Sequence, residues 1–254
     1  MGLLPEIKST PTVDPCKLTY LIYGCPKIGK TTFCAGLPDA LFLDTEEGTR
    51  LQNVYSTPIK NWETFLRVVD EICAVPPKHK FRNIVIDTTE KLAGFCINYG
   101  CAKLGIKHPT EAAYGKSYDI IKKDFEIPIV KLQQSGLGVF FICHEEVKKI
   151  EAAIGNNYDY HQPKLPGFLS NIILSLCDFI LFACNEQVME TNPDGKIKGM
   201  IDKRVFHTKP SKEWLAGDRL VNAPLPKDLP MKTSEFLEVL STSLKKNLEI
   251  SSNG

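Results

Sequence analysis

A mainly parallel β-sheet covered by helices on both faces, with antiparallel strands at its C-terminal edge, is the α/β fold class that three observations predict. Short apolar, β-rich runs alternate with helix-patterned stretches up to residue 143, those runs lack polar alternation, and after residue 178 strand-like runs follow one another around a turn signal. Parallel neighbours need a long crossover, which the intervening helices supply. Unbroken apolar runs belong to strands whose two faces are both covered.

In order, a strand is expected over 18–23 and a helix from about residue 30, separated by a glycine-rich turn. A second strand spans 40–44. Helix 61–74 opens on an Asn cap and places Trp62, Phe65, Val69 and Ile72 at helical spacing, so these should enter the core; Val75-Pro76-Pro77 stops it. Strand 82–87, helices within 89–134 and strand 137–143 complete the alternating part. Residues 145–167 read as a long polar connection, functional or mobile rather than a simple turn. A helix over 168–176, a strand over 178–184 and a hairpin with Asn192-Pro193-Asp194-Gly195 at its tip lead into 200–207. Residues 222–230, with three prolines, are extended; 232–247 is an amphipathic helix and the tail SSNG should fray. The organisation expected is an N-terminal extension (1–16), one large α/β body (17–230) and a C-terminal helix with its tail (231–254).

Composition bounds the function. The chain has 254 residues, 43% of them hydrophobic, enough for a substantial core, and 31 basic against 30 acidic side chains leave a net charge of +1. That balance excludes a generally basic nucleic-acid binder and allows a local basic groove. No run of about 18 apolar residues is present and the N-terminus lacks the pattern of a leader, so a soluble, cytoplasmic protein with no membrane partner is expected. Gly2 does not begin a myristoylation motif because position 6 is Glu. The nine cysteines include no C-x-x-C pair and read as reduced, mostly buried small hydrophobes.

The turn Gly24-Cys25-Pro26-Lys27-Ile28-Gly29-Lys30-Thr31-Thr32, after a strand and before a helix, is the full context of a phosphate-binding P-loop. The glycines bring successive N–H groups near phosphate oxygens. Lys30 is placed to reach the β- and γ-phosphates, Thr31 to coordinate Mg²⁺ and Thr32 to contact the α-phosphate. ATP and Mg²⁺ are the expected ligands. Asp87, ending Asn83-Ile84-Val85-Ile86-Asp87, is the candidate that holds the metal through water, with a helix cap as the alternative. Leu41-Phe42-Leu43-Asp44-Thr45-Glu46-Glu47 is a second strand ending in acids; Glu46 is the first choice for the base that polarises the attacking water, with Glu47 and Glu90 as rivals and plain solvated acids as the alternative. His144, ending a third buried strand, is a candidate γ-phosphate sensor or an ordinary strand-end histidine.

Taken in order, GCPKIGKTT, FLDTEE, IVIDTTE and FFICHE resemble the RecA-like recombinase core, and most closely the small phage-encoded ATPases related to RecA and UvsX that act in single-strand annealing. The likeness covers about residues 17–226, and Tyr114–Tyr118, Lys209–Ser211 and Ala216–Arg219 also look like stretches of those phage proteins. It implies a RecA-like ATPase with Glu46 as catalytic glutamate and His144, where RecA proper has Gln, as sensor. It also implies single-stranded DNA as partner, with single-strand-binding protein and further copies of the chain beside it. RecA's N-terminal polymerisation domain and large C-terminal DNA-binding domain have no counterpart, so the resemblance carries no expectation of a filament. In that family the loops after the third and fourth motifs face DNA; the matching stretches are 105–118 (Lys107, His108, Tyr114, Lys116) and 147–167 (Lys148, Lys149, Tyr158, Tyr160, His161, Lys164). Basic groups neutralise phosphates and rings stack on unpaired bases, whereas the alternative is a solvated loop with tyrosines packed on the body. Among Lys203, Arg204, Lys209, Lys212 and Arg219, Lys209 and Arg219 are the candidates for a finger reaching a neighbour's γ-phosphate; a basic surface patch is the alternative. Two other function classes stay open: an ATPase that loads or remodels a protein partner, and, less supported, a small-molecule kinase.

Overall fold

The computed structural model describes residues 9–111, 115–151, 156–191 and 197–252, with side chains described except at 188–191, 197–199 and 251–252. Strand β1 (Thr19–Gly24) lies in the middle of the sheet and all six of its residues are buried, which explains its unbroken apolar sequence. It pairs in parallel with β5 (Gly138–Ile150) on one side and β7 (Phe179–Thr191) on the other. Beyond β5 come β4 (Asn83–Asp87), β2 (Ala40–Asp44) and the edge strand β3 (Tyr55–Pro58), all parallel. Beyond β7 come β8 (Ile197–His207) and β10 (Asp228–Pro230), both antiparallel. Strand β6 (Tyr158–Pro163) pairs with the far half of β5, and β9 (Gly217–Asp218) with the start of β7. The order β10-β8-β7-β1-β5-β4-β2-β3 is the fold class expected: a parallel centre with an antiparallel C-terminal edge.

Helices cover both faces. One face buries Leu21, Tyr23, Ile84, Ile86 and Phe141 under α2 (Trp62–Ile72), α3 (Thr89–Leu104), α4 (Lys116–Gln133) and α5 (Gly167–Leu176). The expected core residues Trp62, Phe65, Val69 and Ile72 are all buried there, and Asn61 Oδ1 accepts the Thr64 N–H at 2.8 Å as the cap. The other face buries Tyr20, Ile22, Phe140 and Leu181 under α1 (Lys30–Ala35) and α6 (Thr233–Ser252). Tyr20 stacks on Phe140 at 4.2 Å, and Phe33, Phe206 and Phe236 meet edge to face, tying α1, β8 and α6 into one aromatic layer.

Three expectations need correcting. Within the stretch 145–167, read as a connection, residues up to Ile150 and from Tyr158 to Pro163 are strands: β5 runs on and pairs with β6, forming an arm beyond the main sheet. Its polar composition reads as loop because, past the body, a strand no longer has two buried faces. Strand β3 was not expected because Tyr-Ser-Thr-Pro is largely exposed and ends in proline, as an edge strand tolerates. Helix α6 runs to Ser252 rather than 247, so only Asn253 and Gly254 of the expected frayed tail are left, outside the described residues along with Tyr114 and the hairpin tip Asn192–Gly195. No helix among the described residues is long and apolar enough to cross a membrane.

Candidate functional site

Strand β1 delivers Gly24 between His144 of β5 and Ala183 of β7. A Cβ at Gly24 would lie 2.2 Å from the Ala183 carbonyl oxygen, so only glycine fits where the chain leaves the sheet. The turn that follows uses left-handed backbone at Lys27 (φ 66°) and Gly29 (φ 109°), the geometry that turns consecutive N–H groups toward one point. Ile28 is buried and anchors the turn, while Cys25, Pro26, Lys27 and Thr32 line its outer side. The Lys30 ammonium is buried and donates to the carbonyls of Gly24 (2.8 Å) and Cys25 (2.9 Å), inside the turn a triphosphate would fill. Burial lowers its pKa, opposed by the nearby Cys25, Asp87 and Glu90, so an anion beside it relieves a real cost.

Parallel pairing puts Asp44 and Asp87 side by side at the ends of β2 and β4. The Thr31 hydroxyl donates to Asp87 Oδ2 at 2.7 Å. The Asp87 carboxyl is pushed up to about 6, first by burial and then by the charges of Asp44 and Glu46, against the pull of the Thr31 hydrogen bond and Lys30. A hydroxyl paired with a destabilised carboxylate fits a hard divalent cation such as Mg²⁺, which binds oxygen donors and lowers the energy of the ionised acid. Thr31 and Asp87 would hold it, directly and through water.

Asp44 organises the segment that carries Glu46. Its Oδ1 accepts the N–H groups of Glu46 (3.0 Å) and Gly48 (3.2 Å), and its Oδ2 accepts the N–H (3.0 Å) and hydroxyl (2.5 Å) of Thr49. Thr45 locks this segment to β4: its hydroxyl accepts the Thr88 N–H at 2.8 Å, and its own N–H donates to the Asp87 carbonyl at 2.8 Å. Sequence reasoning missed both residues as shapers of the site; an Asp at a strand end before N–H groups two to five residues on was the available signal. Glu46 is solvent-facing and close enough to influence Asp87. Its rivals are engaged elsewhere: Glu47 pairs with Arg50, and Glu90 Oε1 meets His144 Nδ1 at 2.5 Å and the His144 N–H at 3.2 Å. The second oxygen of Glu90 is buried without a partner. His144 is thus tethered to the first turn of α3 and, through the β1 register, sits beside Gly24.

Beyond His144 the arm has two distinct faces. Lys148 lies opposite Tyr160 and Ile150 opposite Tyr158, so Lys148, Tyr158 and Tyr160 share one face. Lys149, opposite Asp159, and His161, opposite Val147, lie on the other, where His161 Nδ1 meets Glu145 Oε2 at 2.9 Å and its ring packs 5.1 Å from Phe182. Lys107 and Lys116 are exposed at the connection between α3 and α4, on elements separate from the arm, as is His108, which bonds Thr110. Glu145, Glu146, Glu151 and Asp159 offset Lys148, Lys149 and Lys164, so the arm is no basic patch. Of the finger candidates, Lys209 is paired with Asp218 at 2.5 Å and Arg219 with Asp178 at 3.2 Å, so either must be released before it could reach a neighbour.

A cavity of about 770 Å³ between α2 and α4 lies at the opposite ends of the strands from the P-loop and is lined mostly by apolar groups such as Ile72, Val75, Ile127 and Val130. It takes no part in this site. The family model described as an AAA domain (AAA_24) matches residues 16–220, which include the P-loop, both acid-ended strands, His144 and the arm. No curated protein matches the chain.

Proposed function

The chain belongs to this AAA-domain family, and from that premise we propose that its P-loop ATPase site is Mg²⁺-dependent and drives a switch acting on single-stranded DNA in recombination or strand annealing. One observation carries the reading. Strand β5 runs without a break from its pairing with β1, through His144, into the arm paired with β6, so a change at the sensor position is a change at the root of the arm. In this account Lys30 and the turn amides hold the phosphates, Thr31 and Asp87 hold the metal, and Glu46 takes the proton of the attacking water. Bound Mg²⁺ would supply charge neutralisation at the β- and γ-oxygens. His144, positioned by Glu90, differs in its interactions before and after the γ-phosphate leaves, and the arm follows. The phage RecA-related resemblance supports DNA as the partner, as do Tyr158 and Tyr160 beside Lys148, which suit stacking on unpaired bases.

A second reading, a protein partner on the arm, is favoured by the acids that offset its lysines, because counter-ion release then contributes little to nucleic-acid affinity. Fluorescence anisotropy of a labelled single-stranded oligonucleotide, with ATP and Mg²⁺, with ADP and without nucleotide across a salt series, separates the two. Nucleotide-enhanced binding lost in Tyr158→Ala/Tyr160→Ala supports DNA. Absence of binding in every condition transfers the arm to a protein partner.

A further inference from the structure

Beside the P-loop, on the side of the antiparallel edge, lies a cleft of about 190 Å³ lined by Ile28, Gly29, Thr32, Phe33, Arg204 and Met231, with Lys232 and Thr233 at its rim. It is too small for a whole nucleotide, given that pockets enclosing ligands of that size run to roughly 300 Å³ and more. A Cβ placed on Gly29 would lie 3.2 Å from Arg204 Nη1 and 3.7 Å from Met231 Cε, so both side chains close over the turn of their own subunit. The wall is built in: the Met231 N–H donates to the Arg204 carbonyl at 3.0 Å, and the Thr233 hydroxyl donates to the Phe33 carbonyl at 2.6 Å. Lys232 is paired with Glu235 at 2.6 Å, whereas Arg204 has no carboxylate paired with it among the described residues.

Resting on the P-loop reading above, we infer that this cleft takes the nucleoside half of the bound nucleotide, with Arg204 acting in its own subunit, its guanidinium against the base. A planar, weakly hydrated cation stacks on an aromatic ring, and a thioether packs against the same ring. Thr32 places the α-phosphate at the mouth of the cleft and Phe33 is its floor. Arg204 is therefore a nucleotide-contacting residue in cis, unlike Lys209 and Arg219, the candidate fingers toward a neighbour.

The test is isothermal titration of the full chain in Mg²⁺ with two probes, ATP and inorganic tripolyphosphate, which has the phosphates without the nucleoside. Arg204→Ala should weaken ATP about tenfold and leave tripolyphosphate within twofold, and Arg204→Lys should recover little because it lacks the plane. Unchanged ATP affinity in Arg204→Ala overturns the inference, as does equal weakening of both probes, which would put Arg204 on the phosphates. Failure of the unaltered chain to bind either probe refutes the P-loop reading itself, a separate outcome from unchanged affinity in the variant.

Discussion

Replacing Asp87 by Asn should make the nucleotide-free protein more stable while removing the Mg²⁺-dependent nucleotide binding proposed for this site. Asp87 is 5% exposed and the pKa of its carboxyl is raised from 3.8 to about 6, a difference that costs the ionised form about 3 kcal/mol. Asparagine removes that charge, and its Oδ1 can still accept from the Thr31 hydroxyl, though a neutral acceptor loses about 1 kcal/mol relative to a carboxylate. A net gain of about 1–2 kcal/mol is expected at pH 8. The sign of the pH dependence follows from proton counting. Between 3.8 and about 6 the folded carboxyl binds more protons than the unfolded one, so the unsubstituted protein gains stability as pH falls through that window. From pH 8 to pH 5 the gain is about 1.4 kcal/mol, and the Asn variant lacks it. Urea unfolding of both proteins at the two pH values, in EDTA and without nucleotide, measures the difference and cancels every other titrating group. An Asn variant less stable at pH 8, or a difference that does not shrink by pH 5, would refute the electrostatic account of this site.

Other outcomes follow from the same geometry. Lys30→Ala should abolish nucleotide binding while leaving the folded chain's circular dichroism and unfolding midpoint close to the original, because the ammonium satisfies only carbonyls of its own turn; unchanged ATP affinity would remove the P-loop from the account. Glu46→Gln should bind ATP normally and lose about a hundredfold or more in turnover; if phosphate release persists and is lost in Glu90→Gln instead, the buried, unpartnered oxygen of Glu90 belongs to the base. Gly24→Ala should destabilise the fold by about 1–3 kcal/mol, since its Cβ would meet the Ala183 carbonyl oxygen at 2.2 Å; a thermal melt superimposable on the original would show that β7 can move aside.

The centre of the fold was legible because its signals are local and repeated. β1, β2 and β4 each read as apolar runs buried on both faces, and α2 announced its cap and its core side between Asn61 and Ile72. The P-loop was legible because its chemistry needs glycines and a lysine at fixed offsets. What escaped depends on pairing across long sequence separation. The arm of β5 and β6 is held by a ladder from Glu145↔Pro163 to Ile150↔Tyr158, which composition alone reads as a polar connection. The Glu90–His144 pair joins residues 54 positions apart. Arg204 approaches Gly29 only because β8 returns beside β7, and the ion pairs of Lys209 and Arg219 exist only once β9 docks at the same edge.

The coupling of nucleotide to arm is tested most directly by hydrogen exchange of the amides in β5 beyond His144 and in β6, compared without nucleotide, with a non-hydrolysable ATP analogue and Mg²⁺, and with ADP. The account predicts slowed exchange across both arm strands with the analogue, reversal with ADP, and loss of the response in His144→Ala. Protection confined to the P-loop and α1, with the arm exchanging at the same rate in all three states, would contradict it.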